Sequence, residues 1–136
     1  MIATAFAALA VAGLGACTAR PSSQLSSTAS VTVNGSDTKF TVVKCGQNDW
    51  TRTIDIGGDF AGAKVVVDEH AVPAVAESVH IRNLNGFTGM YSRGGEDGAD
   101  MSLSDDRFTI TGTAHGSKAD KPNEPATATF KIVTAC

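Results

Sequence analysis

Val79-His80-Ile81-Arg82-Asn83-Leu84-Asn85-Gly86-Phe87-Thr88-Gly89-Met90-Tyr91 is the stretch that decides the fold. Asn-Gly supplies the positive φ angles that a two-residue hairpin turn requires. The runs Val79–Arg82 and Phe87–Tyr91 therefore predict two antiparallel strands, with His80 on the polar face of the first beside Arg82. Working outward, period-two alternation recurs along the chain. Trp50, Arg52, Ile54 and Ile56 share one face and Thr51, Thr53 and Asp55 the other; Ala99, Met101 and Leu103 oppose Asp100, Ser102 and Ser104. Phe108 and Ile110 oppose Arg107, Thr109 and Thr111, and Ala126, Ala128, Phe130 and Ile132 oppose Thr127, Thr129 and Lys131. Lys64-Val65-Val66-Val67-Asp68 is a continuous apolar run of the kind found in a strand covered on both sides. Asn34-Gly35, Gly57-Gly58 and Gly94-Gly95 supply further turns, while the best helical candidate, Ala71 to Glu77, is interrupted by Pro73. The pattern predicts an all-β domain of about eight or nine short strands, an antiparallel β-sandwich or a half-open barrel.

The front of the chain reads differently. Of the 136 residues, 18% are charged, and none of those lies in positions 1–16. As a helix that apolar stretch rises about 24 Å, short of a hydrocarbon core of about 30 Å, so it fits a signal-peptide core better than a membrane span. A signal peptide normally opens with Lys or Arg; their lack here suggests a start further upstream. Leu14-Gly15-Ala16-Cys17 resembles a bacterial lipobox: an aliphatic residue, two small ones, then the Cys whose thiol takes a diacylglyceryl group. Acyl chains held there at about 0.8 kcal/mol per buried methylene give stable anchoring. An ordinary secretory signal with a chance Cys is the plainer alternative. Residues 18–30 follow, with seven Ser or Thr among thirteen and Leu25 the one sizeable apolar side chain. Such a segment cannot offset its ordering entropy and reads as a flexible tether with a reach of about 20 Å. The expected division is therefore 1–16 signal peptide, 17–30 lipidated Cys and tether, and 31–136 globular domain.

With Cys17 taken by lipid, Cys45 and Cys136 remain, and an even pair in an exported domain reads as a disulfide. A metal pair or redox dithiol would need CxxC spacing or a Cys-His cluster, which the chain lacks. A net charge of −3 with no clustered basic face argues against nucleic acid as a partner. The acidic stretch 94–106, with Glu96, Asp97, Asp100, Asp105 and Asp106, invites a calcium reading. It matches neither an EF-hand loop nor a glycine-rich nonapeptide array, so a solvated acidic loop is the simpler assignment and no metal is expected. His70, His80 and His115 are widely spaced, and there is no Gly-x-Ser-x-Gly elbow. Neither a catalytic residue nor a cofactor is therefore assigned. Trp50, Tyr91 and the Phe residues read as core or cross-strand packing.

Several strings, in order, resemble the mycobacterial 19 kDa lipoprotein antigen family. Beyond the lipobox, the tether and the two distant Cys, they are Val31-Thr32-Val33-Asn34-Gly35, Val42-Val43-Lys44-Cys45, Ile54-Asp55-Ile56-Gly57-Gly58 and Asn83-Leu84-Asn85-Gly86-Phe87. Phe108-Thr109-Ile110-Thr111-Gly112-Thr113-Ala114 and the closing Phe130-Lys131-Ile132-Val133-Thr134-Ala135-Cys136 complete the set, collinear over nearly the whole mature chain. The resemblance implies an exported, non-enzymatic lipoprotein on the outer face of the cell membrane, often glycosylated. It also implies a surface antigen whose acylated N-terminus is recognised by host Toll-like receptors. A second reading, a carrier of a lipid or glycolipid, requires an apolar cavity of several hundred cubic ångströms between the sheets. The small core side chains predict a filled interior instead.

Overall fold

The computed structural model describes residues 28–136, and every regular element in them is a β-strand. In chain order these are β1 (Ala29–Val33), β2 (Ser36–Phe40), β3 (Val43–Asn48), β4 (Thr51–Gly57), β5 (Gly62–Asp68), β6 (Val75–Leu84), β7 (Phe87–Ser92), β8 (Ala99–Ser104), β9 (Arg107–Lys118) and β10 (Lys121–Ala135). Ten strands stand where the alternation suggests eight or nine. The strands that alternation does not reveal are the two edges, β2 (Ser-Asp-Thr-Lys-Phe) and β3, which are mostly exposed on both faces and so carry no apolar period. Charges on such an edge strand discourage pairing with other chains. Ala29 and Ser30, the last positions of the expected tether, are already paired: Ala29 lies opposite both Phe40 and Thr134.

All neighbours run antiparallel in one sheet, in the order β2-β1-β10-β9-β7-β6-β5-β4-β3. The long β9 has two partners along one side. Its first half, Arg107–Gly112, pairs with β8, and His115–Lys118 pairs with β7. This fork lets the sheet change direction and wrap, and Gly89 opposite Gly116 makes the bend possible. A Cβ on Gly116 would run into the Thr88 carbonyl, and one on Gly89 into the Phe87 ring. Of the two architectures left open, the observed one is a half-open barrel, closed except at the seam between β2 and β3.

Alternation becomes packing as the pleat requires. Ile54 and Ile56 of β4, Val65 and Val67 of β5, Val79 and Ile81 of β6, and Ile110 and Ile132 of β9 and β10 are all fully buried. Each contributes roughly 1.5–3 kcal/mol by removal from water. Ala63, Ala114 and Ala128 sit between them, so the walls come close and Phe87, Phe108, Phe130 and Tyr91 fill the remaining space. β5 departs from expectation: Val66, between two buried valines, is half-buried, so the strand is covered fully on one side only. The expected hairpin is present, with φ of 51° at Asn85 and 70° at Gly86, and Asn34-Gly35 repeats it between β1 and β2. Asn85 Nδ2 donates to the Val33 carbonyl at 3.2 Å, bracing one hairpin against the other.

Cys45 lies on β3, an edge of the sheet, and Cys136 follows β10, third strand in from the other edge. The two are joined as a disulfide with Cα atoms 6.1 Å apart and a sequence separation of 91. The bond spans the seam. For a loop of this length the chain-entropy estimate is about 4–5 kcal/mol, and measured losses run to roughly 2–5 kcal/mol. The double replacement Cys45→Ser, Cys136→Ser is expected to lower unfolding free energy by about that amount in urea melts. An unchanged midpoint would show that the seam holds without the bond.

Candidate functional site

Leu14, Gly15, Ala16 and Cys17 lie outside the described residues, so the site visible in the structure is the place where the preceding segment meets the domain. Thr28 is exposed and Ala29 is buried beside Phe40 and Thr134. A surface cleft of about 280 Å³ opens there, with Ala29, Phe40 and Val133 as apolar lining and Lys39 and Arg107 as charged lining. β1, β2, β10 and β9 bring these residues together from positions far apart in sequence. Lys39 Nζ is 3.3 Å from Asp37 Oδ2. Asp37 also accepts a hydrogen bond from the Ser30 hydroxyl and one of 3.1 Å from Thr32 Oγ1. The Ser30 bond first, then those from Thr32 and Lys39, hold the Asp37 carboxyl below its ordinary range.

A second polar cluster gathers around the ends of β5, β6 and β7. Arg93 Nη2 lies 3.1 Å from Asp68 Oδ2 and 2.8 Å from Glu77 Oε2, and its backbone N–H donates to the Glu77 carbonyl. The His70 backbone N–H donates to Asp68 Oδ1 at 2.9 Å. That bond first, then Arg93, lowers the Asp68 pKa. Nearby, Arg52 Nε reaches Glu69 Oε1 at 2.7 Å while its guanidinium lies 5.5 Å from the Phe108 ring centroid. These contacts tie strand ends together; none of them aims an unpaired group into a cleft.

The histidines disperse. His70 meets Trp50 edge-on, with ring centroids 5.7 Å apart, and His80 sits half-buried on β6 between Lys64 and Met90. His115 Nε2 contacts Asp97 Oδ2, and no hydroxyl among the described residues bonds a histidine. The acidic stretch divides: Asp97 goes to His115, Asp100 lies on β8, and Asp105-Asp106 form the left-handed turn into β9, with φ of 51° and 64°. Among the described residues no three His, Cys, Asp or Glu side chains converge as a metal site. No helix there is long and apolar enough to cross a membrane.

Two aromatic assignments need correction. Tyr91 and Phe130 pack in the core, their centroids 6.3 Å apart, but Trp50 is 62% exposed and Phe60 82%. Both stand at strand ends, Trp50 in the turn before β4 and Phe60 in the turn after it, where the alternation that assigns faces no longer applies. Leu103 on β8 is likewise exposed, because nothing covers that edge strand beyond the fork. Sequence reading also missed Val42, half exposed on the β2–β3 connection. The available signal for Phe60 was its place in Gly57-Gly58-Asp59-Phe60, an aromatic just past a turn dipeptide.

Comparison with known proteins places the chain. The family described as Mycobacterium 19 kDa lipoprotein antigen matches over residues 22–136. A protein of Mycobacterium indicus pranii named as a lipoprotein is 63% identical over 130 residues, covering 96% of this chain and 94% of that one. Another so named, from Mycobacterium avium subsp. hominissuis, is 65% identical over 129 residues, with 95% and 90% covered. Lipoprotein LpqH of Mycobacterium tuberculosis H37Rv is 32% identical over 153 residues, with 99% and 96% covered.

The Asp68 contacts carry a pH dependence. A carboxyl held more acidic in the folded state stabilises above the ordinary carboxylate pKa near 4, and the contribution is lost as pH falls through the lower folded value. Asp68→Asn is therefore expected to lower Tm at neutral pH, with the difference from the unsubstituted protein closing below about pH 4. Thermal melts across the acid range check this. A gap that stays constant with pH would assign the effect to packing.

Proposed function

The chain belongs to the mycobacterial 19 kDa lipoprotein antigen family, and from that premise we propose that it is a lipid-anchored display module of the cell envelope, without enzymatic activity. Cys17 carries the lipid after removal of residues 1–16. The segment from 17 to the start of β1 is the tether, and the half-open barrel is what the tether presents. The observation that carries this reading is the sequence order Leu14-Gly15-Ala16-Cys17, Ser/Thr-rich segment, disulfide-closed domain. Each part answers a need of an exported, tethered protein. The acyl chains hold it to the membrane, the tether links anchor to domain, and the Cys45–Cys136 bond suits an oxidising exterior.

The barrel interior supports display over carriage. Ile54, Val65, Val79, Phe87, Ile110 and Ile132 meet at its centre with no exposed area, and a ligand of lipid size would have to displace them. Ligand pockets ordinarily enclose about 300–1,000 Å³ and bury most of the ligand. Recognition by host Toll-like receptors belongs to the acylated N-terminus in this proposal. The barrel would then act as antigen and contact surface.

Cys17→Ala tests the anchor. The substituted chain is expected to move from the membrane to the soluble fraction, to leave the detergent phase on partitioning, and to lose receptor stimulation, with the barrel still folded. Retention of the variant in the membrane fraction would overturn the proposal.

A further inference from the structure

The corner of the barrel beside the tether exit carries two apolar side chains without cover. Phe60 is at the tip of the turn closed by the Gly58 N–H donating to the Ala61 carbonyl at 3.0 Å. Val42 is 50% exposed on the connection from β2 to β3. Gly57 links them: its N–H donates to the Val42 carbonyl at 2.9 Å, and its α-carbon faces the Phe40 ring so closely that a Cβ would collide with it. Phe40 and Thr41 in turn line the same cleft as Thr28, the first described residue. Tether exit, cleft, Val42 and Phe60 thus form one continuous surface.

From this contiguity we infer that the corner is the face the domain rests on the lipid bilayer, with Phe60 and Val42 entering the interfacial region of the leaflet that holds the anchor. The inference rests on the reading that Cys17 is lipidated. A bilayer is the occupant because the chain that leads to it begins at this corner. Once anchored, the domain meets the surface at a high effective concentration, so a contact too weak to hold a free protein becomes populated. The contact is apolar in character. Lys39 is paired with Asp37 and Asp59 adjoins Phe60, while Arg107 lines the cleft and Arg82 Nη2 donates to the Gly58 carbonyl at 3.0 Å. The apolar side chains are expected to make the contact on a zwitterionic membrane, and the two arginines to strengthen it on an anionic one. Trp50 and Val72, also exposed, sit at the opposite end of β4, about 20 Å along a seven-residue strand, and remain in water.

The test uses the full-length lipidated chain on phosphatidylcholine vesicles whose acyl chains are brominated. Trp50 is the chain's one tryptophan. In the unsubstituted protein its emission is expected to be untouched by the bromolipid. In the double variant W50F, F60W the indole is expected to shift to the blue and lose most of its emission, while flotation with vesicles is unchanged. Flotation retained with the F60W indole no more quenched than Trp50 would overturn the docking and leave the anchor standing. Loss of flotation in the lipid-carrying chain would overturn the anchor and the docking with it. Hydrogen exchange of the unsubstituted chain gives a second readout. The amides of 41–42 and 58–61 should exchange more slowly on vesicles than in soluble Cys17→Ala, and equal rates would contradict the docking.

Discussion

A single sheet with no second layer to pack against hides its apolar face by curling until its edges approach, and here the edges approach at the seam between β2 and β3. Across that seam the Phe40 ring of β2 packs on Gly57 of β4, and the Cys45–Cys136 disulfide reaches from β3 to the end of β10. If the seam opened, the buried faces of β1, β4 and β10 would meet water together. Closure therefore fixes the filled core. It also fixes where the chain enters the barrel, since β1 lies beside the edge strand β2.

Much of this was legible in the sequence, for a physical reason. β4, β9 and β10 show clean period-two alternation because each has one wet and one dry face, and Asn85-Gly86 and Asn34-Gly35 announce their hairpins through the backbone angles they permit. β2 was illegible because an edge strand exposed on both faces has no apolar period to read. Val66 reads as buried because a run of three valines hides which of them faces outward.

The cysteines could be paired by counting, whereas the cleft at the tether exit could not be foreseen. Lys39 and Arg107 become neighbours only through the register of β2, β1, β10 and β9, and no local pattern encodes a four-strand pairing. The same holds for Arg93, which finds Asp68 and Glu77 on two different strands. Trp50 and Phe60 show the complementary failure: aromatic character suggests the core, but position in a turn decides exposure.

A small half-open barrel needs little from its own surface beyond solubility and endurance. Its acid–base pairs secure strand ends, its edge strand is charged, and its chain end is stapled. In the proposed reading, what makes it more than a secreted barrel is the chemistry in front of β1. Intact-mass spectrometry of the protein taken from its native membrane examines that chemistry directly. The mass expected is that of a chain beginning at Cys17, increased by a diacylglyceryl group and reduced by the two hydrogens of one disulfide. A chain with residues 1–16 still attached and the Cys17 thiol free would contradict it.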